Sequence, residues 1–157
     1  MPGKLLRRAI ADGDLGRKRR AEAATELGRI WGQMLSRGYL HMDPITGNFI
    51  YNVKSARTPI TLIDFDNIYR LPPVILQSRL PFARRRLAKC GYRLARQLIE
   101  QGEAPIRRSE FRAFRRAYVD AGGPEIPDAR AWWRHIVKAV QGRWYRRYGQ
   151  PYPHLPR

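Results

Sequence analysis

"YLHMDPITGNFIY" (39–51) sets a histidine, an aspartate and an asparagine in one short segment, and "LIDFDN" (62–67) follows with two more carboxylates. Pro44 fixes its own φ and disfavours helix at Asp43, so the residues after His41 read as a loop. Gly47 permits a tight backbone just before an apolar run. "NFIYNV" (48–53) and "ITLIDF" (60–65) are rich in Ile, Val, Phe and Tyr and read as two short strands, with "KSARTP" (54–59) as the loop between them. If they pair as a hairpin, the start of the first meets the end of the second. Asp43, Asn48 and Asp64 then converge at the hairpin's mouth.

Working outward, residues 19–37 have helical spacing, with Leu27, Ile30, Trp31, Met34 and Leu35 on one face and Gly38 placed to end the helix. Three more helices are expected on the C-terminal side. Residues 83–101 align Leu87, Cys90, Leu94 and Leu98, and Gly102 closes them. Residues 109–121 begin at Ser109 as N-cap and bury Phe111, Phe114 and Tyr118 before "GGP" (122–124) stops them. Residues 128–148 begin at Asp128 as N-cap, carry Trp133, Ile136, Val137, Val140 and Trp144 on their apolar face, and end at Gly149. The expected fold class is α+β, mostly α, with one β-hairpin and about four to five helices. It forms a single domain over 1–157, made of a basic leader (1–18), the helix 19–37, a loop-and-hairpin centre (39–70), a basic helical region (79–148) and an irregular proline-rich tail (149–157).

The chain of 157 residues is long enough for a hydrophobic core. Its single cysteine, Cys90, permits no internal disulfide and fits a reducing compartment. The apolar runs fall short of a membrane span, and the basic N-terminus has no apolar signal region. Charge is the unusual feature, with 31 basic against 13 acidic residues and a net charge of +18. Residues 1–40 carry a net +5, residues 41–78 are neutral, and residues 79–157 carry +13. Asp43, Asp64 and Asp66 therefore sit in a neutral centre between basic flanks. Such flanks suit an anionic partner: nucleic acid, a phosphorylated lipid or an anionic membrane surface. A solvated arginine-rich face accounts for them equally well.

Two carboxylates and a carboxamide are hard oxygen donors of the kind Mg²⁺ takes, with water and substrate phosphates completing its shell. The order His-x-Asp-x-x-x-x-Asn, then a strand, then Asp-Phe, is that of a kinase catalytic loop followed by its metal-binding motif. Asx turns on an ordinary hairpin are the plainer account of the same residues.

From Leu27 to about Tyr148 the chain resembles the lipopolysaccharide core kinase family, which phosphorylates Kdo or heptose sugars on a protein-kinase-like fold. The resemblance lies in "RGYLHMDPITGNFIY", "ITLIDFDNIYR", "RRRLAKCGYRLARQL" and "EFRAFRRAYVDAGG". It implies that Asp43 is the catalytic base, that Asn48 and Asp64 hold Mg²⁺, and that His41 supports the catalytic loop from beneath. Asp66 stands where protein kinases have Gly, as in the sugar-kinase pattern "IDFD", with a metal-side role and a hydrogen bond within the loop both open. The "DPxxGN" element is also similar to aminoglycoside phosphotransferases and to the atypical kinases of quinone biosynthesis.

Several departures bear on the substrate. Met42 replaces the Arg of the protein-kinase "HRD", Ile45 stands where those enzymes carry a phosphate-contacting Lys, and no "APE" follows "DFD". These argue against a Ser/Thr/Tyr protein kinase. The forty residues before His41 hold no Gly-x-Gly-x-x-Gly and no strand lysine of "VAIK" type; Lys4 and Lys18 are their only lysines, both in helical-looking context. The resemblance thus covers a C-terminal lobe, with the N-terminal lobe absent.

The expected function is ATP-dependent phosphoryl transfer to a hydroxyl of an inner-core sugar, in a truncated or inactive form if no N-terminal lobe is supplied. Mg²⁺ and ATP are the implied cofactors, and a lipid-linked anionic sugar is the implied acceptor. Arg84, Arg85, Arg86, Arg115 and Arg116 are candidates for contact with that acceptor or with an anionic membrane surface. The implied location is cytoplasmic, peripheral at the inner face of a bacterial inner membrane. The rival readings are a pseudokinase or interaction module, and a basic nucleic-acid-binding protein, which the acidic centre disfavours.

Overall fold

The structure, a computed structural model, describes residues 3–41, 46–52, 60–72, 107–123 and 128–152. Its elements are β1 (Lys4–Leu5), α1 (Leu6–Ala11), α2 (Arg17–Ser36), β2 (Tyr39–His41), a 3₁₀ turn (Thr46–Asn48), β3 (Phe49–Tyr51), β4 (Ile60–Leu62), β5 (Ile68–Arg70), α3 (Arg108–Asp120) and α4 (Ala129–Tyr148). The fold is α+β and mostly helical, with two small antiparallel sheets.

The long helix α2 organises the core. Ala23, Leu27, Trp31 and Leu35 recur every fourth residue and are all buried, so one stripe of the helix faces inward. Gly28 and Gly32 share the buried side, and α3 lies against them. A Cβ on Gly28 would stand 2.2 Å from the carbonyl oxygen of Phe114, and one on Gly32 would stand 2.3 Å from that of Tyr118. The backbone of α3 closes on α2 at these two glycines, with the Ala121 methyl beside Gly32. Phe111, Phe114 and Tyr118 on α3 are buried, as the helical spacing predicts. Gly38 ends the turn after α2 at φ 84°, a left-handed conformation that a side chain resists.

The expected hairpin is present, and it is shorter than the sequence reading. β3 and β4 pair antiparallel with Phe49 opposite Leu62 and Tyr51 opposite Ile60. Phe49, Tyr51 and Ile60 are buried. A third strand was not foreseen. β1 pairs with β3, Lys4 opposite Tyr51, so part of the basic leader is a sheet strand followed by a helix. Lys4 lies on that strand and not in helical context. Its ammonium is paired with Asp12 and Asp14, which raise its pKa through their hydrogen bonds to it. The second sheet pairs β2 with β5, His41 opposite Ile68 and Tyr39 opposite Arg70.

Helix ends follow their capping chemistry. The Asp128 carboxylate accepts from the Arg130 and Ala131 amides at 3.1 and 3.0 Å, as the N-cap reading requires, and Gly149 ends α4. Ser109 is not a cap. The N-cap of α3 is Arg107, whose amide donates to the Glu110 carboxylate at 2.9 Å. Glu110 also pairs with Arg20 at 3.0 Å, tying the start of α3 to α2. The helix expected at 83–101, with Cys90, lies outside the described residues.

Candidate functional site

His41 is the pivot of the central segment. It is 1% exposed at the end of β2, and its ring stacks on Trp31 of α2 with centroids 6.1 Å apart and planes at 23°. Its Nε2 lies 3.0 Å from the carbonyl oxygen of Asp64. A carbonyl only accepts, so Nε2 carries the hydrogen and donates it. One buried imidazole thus links α2, β2 and the segment after β4. The loop that His41 was expected to support, from Met42 to Ile45, lies outside the described residues.

Asn48 is buried at the end of the 3₁₀ turn, directly before β3. Its carbonyl accepts from the Ile63 amide at 2.9 Å, which extends the β3–β4 ladder by one pair. Asn48 therefore stands opposite Ile63, and Asp64 is the next residue along. The register brings the backbone of Asn48 level with the segment that carries Asp64. Asp64 is half-buried, and its Oδ1 accepts from the Asp66 amide at 3.1 Å. That bond closes an Asx turn. Asp66 thus holds the loop through its backbone, while the residue itself is exposed.

Asp43, Arg84, Arg85 and Arg86 lie outside the described residues. Arg115 and Arg116 are on α3, the first half-buried and the second exposed. The Asp64 carboxylate, through the oxygen not engaged by Asp66, is a hard donor of the kind Mg²⁺ takes, with water and phosphate at its other positions.

Around Asp64 the surface is apolar. Ile63 is 44% exposed, Phe65 62% and Tyr69 57%. A groove of about 650 Å³ runs beside them, lined by Ile30, Met34, Tyr39, Leu62, Phe65 and Ile68. Glu26 and Arg29 stand at its polar side. The Glu26 carboxylate, hydrogen-bonded to Arg29, raises that guanidinium's pKa against the opposing cost of burial.

Sequence reasoning placed Trp31 on an apolar face without anticipating its stack on His41. It also missed a second groove, at the end of α4, where Lys138, Gly142 and Arg146 recur at one-turn intervals beside Tyr145 and Tyr152. The signal was the i, i+4, i+8 spacing of two cations around a glycine. Among the described residues no helix is long and apolar enough to cross a membrane. No protein-family model matches the chain, and no curated protein matches it.

Proposed function

We propose that the chain carries the phosphoryl-transfer half of a Mg²⁺- and ATP-dependent phosphotransferase of the lipopolysaccharide core kinase type, acting on a hydroxyl of an inner-core sugar. The observation that carries this reading is the bond from His41 Nε2 to the Asp64 carbonyl. It fastens the His-x-Asp segment to the carboxylate segment, and the hairpin register sets Asn48 beside the latter. Asp43 orients and deprotonates the acceptor hydroxyl. Asn48 and Asp64 would hold Mg²⁺, which would supply the charge that neutralises the nucleotide phosphates. Phosphoryl transfer relies on positioning and charge neutralisation, so few side chains suffice.

Thermal denaturation with and without Mg²⁺-ATP tests this directly. A ligand at one hundred times its Kd stabilises the folded state by about 2.7 kcal/mol, and the melting temperature should rise accordingly. Asp64→Asn removes the charge and keeps an oxygen that can accept from the Asp66 amide, so the mutant should fold and lose the rise. A wild type indifferent to Mg²⁺-ATP, or a mutant that responds like it, sinks the proposal.

The exposed Ile63, Phe65 and Tyr69 favour a second reading, in which this lobe is an interaction module whose partner covers the apolar surface beside Asp64. Phe65→Ser would then abolish partner capture while Asp64→Asn left it intact. The phosphotransferase reading instead places the larger effect on Asp64.

A further inference from the structure

The C-terminal end of α4 carries a feature unrelated to the hairpin. Helix α4 has six basic and no acidic residues. Among the described residues, neither Lys138 nor Arg146 is ion-paired. Eight helical residues separate the two, which is about 12 Å along the axis, and Gly142 lies midway on the same stripe. Among the described residues, a Cβ added there would meet only the Arg146 guanidinium, 3.6 Å away. The missing side chain thus opens a notch between two cations, and one of them already leans over it. The notch belongs to a groove of about 550 Å³ completed by Gln141, Tyr145, Pro151 and Tyr152.

The aromatic side of the groove is built into the fold. Tyr152 is 4% exposed, and its ring meets Trp144 edge-on with centroids 5.0 Å apart. Trp144 also packs on Tyr148 at 4.3 Å. Tyr145 is 61% exposed at the groove's edge. Cations in the last turn of a helix complement its dipole, and Arg146 and Arg147 together serve that role. That effect is confined to the last turn. It gives no reason for Lys138, nearly three turns from the end, or for the gap at Gly142.

We infer that this groove binds a phosphorylated compound with an apolar or ring-bearing body. Lys138 and Arg146 hold the phosphate over Gly142, and Tyr145, Pro151 and Tyr152 receive the remainder. Arginine and lysine are the common phosphate partners, and tyrosine rings supply rigid apolar contact. The phosphate belongs either to a soluble metabolite or to a lipid headgroup, and the chemistry recognised is the same in both. The site is independent of the phosphotransferase reading, since it uses none of Asp43, Asn48 or Asp64.

Phenyl phosphate, titrated against the full chain while tryptophan fluorescence is read, is the soluble probe, because Trp144 stands behind the groove. A saturable change is expected. It should weaken at least tenfold in Lys138→Glu and in Arg146→Glu, and vanish in Gly142→Leu. Leucine forms helix far better than glycine, so Gly142→Leu should also melt higher, which separates a blocked groove from an unfolded chain. Vesicles containing phosphatidic acid, compared with pure phosphatidylcholine, identify the source of the phosphate. Capture that Gly142→Leu abolishes makes the headgroup the ligand. Phenyl phosphate binding together with vesicle capture indifferent to Gly142→Leu makes a soluble compound the ligand. Either result upholds the site. The inference is overturned if the wild type shows no saturable response to either probe, or if Gly142→Leu binds both as the wild type does. Should that variant melt lower instead, the exposed Lys138→Glu/Arg146→Glu pair decides, and unchanged affinity in it overturns the site.

Discussion

Phe49 and Phe65 belong to the two arms of the same hairpin and its exit, and they meet opposite environments. Phe49 is wholly buried, on the middle strand opposite Leu62 and in the same core cluster as Leu27 and Trp31 of α2, whereas Phe65 is 62% exposed just beyond β4. Both stand in apolar runs that read as strand. The ladder continues only as far as the Ile63 amide, and from Asp64 onward the chain is held by the His41 bond and the Asx turn. Sheet pairing buries side chains, whereas a segment tied by single polar bonds leaves its apolar residues facing out. The acidic candidate ligand sits at that boundary.

Mutations can break or sharpen this contrast. The largest effect is expected at Phe49→Ala, which should cost about 4 kcal/mol in urea unfolding, the range for emptying a buried aromatic site. Gly28→Ala comes next, at about 3 kcal/mol, because its methyl would overlap the Phe114 carbonyl and push α3 off α2. If it unfolds no faster than wild type, the backbone-to-backbone contact is wrong. Glu110→Gln removes one charge of the Arg20 pair and should cost about 2 kcal/mol, less than a fully buried pair because Arg20 is partly exposed.

A pH experiment follows in size. Burial raises the Tyr51 phenol above its ordinary 10.0, with Arg19 opposing and Glu22 adding to the rise. The fold favours the neutral phenol, so its contribution is complete below pH 10.0 and declines as pH climbs through the higher folded value. Tyr51→Phe should flatten the alkaline decline in stability, measured by unfolding across that range. The smallest change belongs to Phe65→Ser, expected within about 0.5 kcal/mol of wild type. A larger loss would mean that Phe65 is covered in solution and would erase the contrast with Phe49.

The elements with strong local signals were legible. α2 and α4 follow from the recurrence of apolar residues and from Gly38, Asp128 and Gly149 at their ends, and the hairpin from two β-rich runs around a loop. What escaped is non-local. β1 has two residues and exists only because β3 lies beside it. β2 and β5 have three residues each and find each other across the whole hairpin, so no periodicity announces them. The cap at Arg107 was hidden because Glu110 supplies the acceptor from inside the helix, while Ser109 offered a more familiar residue type. Within the site, His41, Asn48 and Asp64 could be ordered by spacing alone. The role of the Asp66 amide and the ring contact with Trp31 needed three dimensions.

The pairing of β1 has a consequence for the rest of the sheet. With Lys4 and Leu5 in place, β3 is a middle strand, bonded on both flanks. A chain shortened past Leu5 would turn Ile50 and Tyr51 into a bare rim of amides and carbonyls, open to strands from other molecules. Lys4 and Leu5 therefore cover an edge that would otherwise invite self-association.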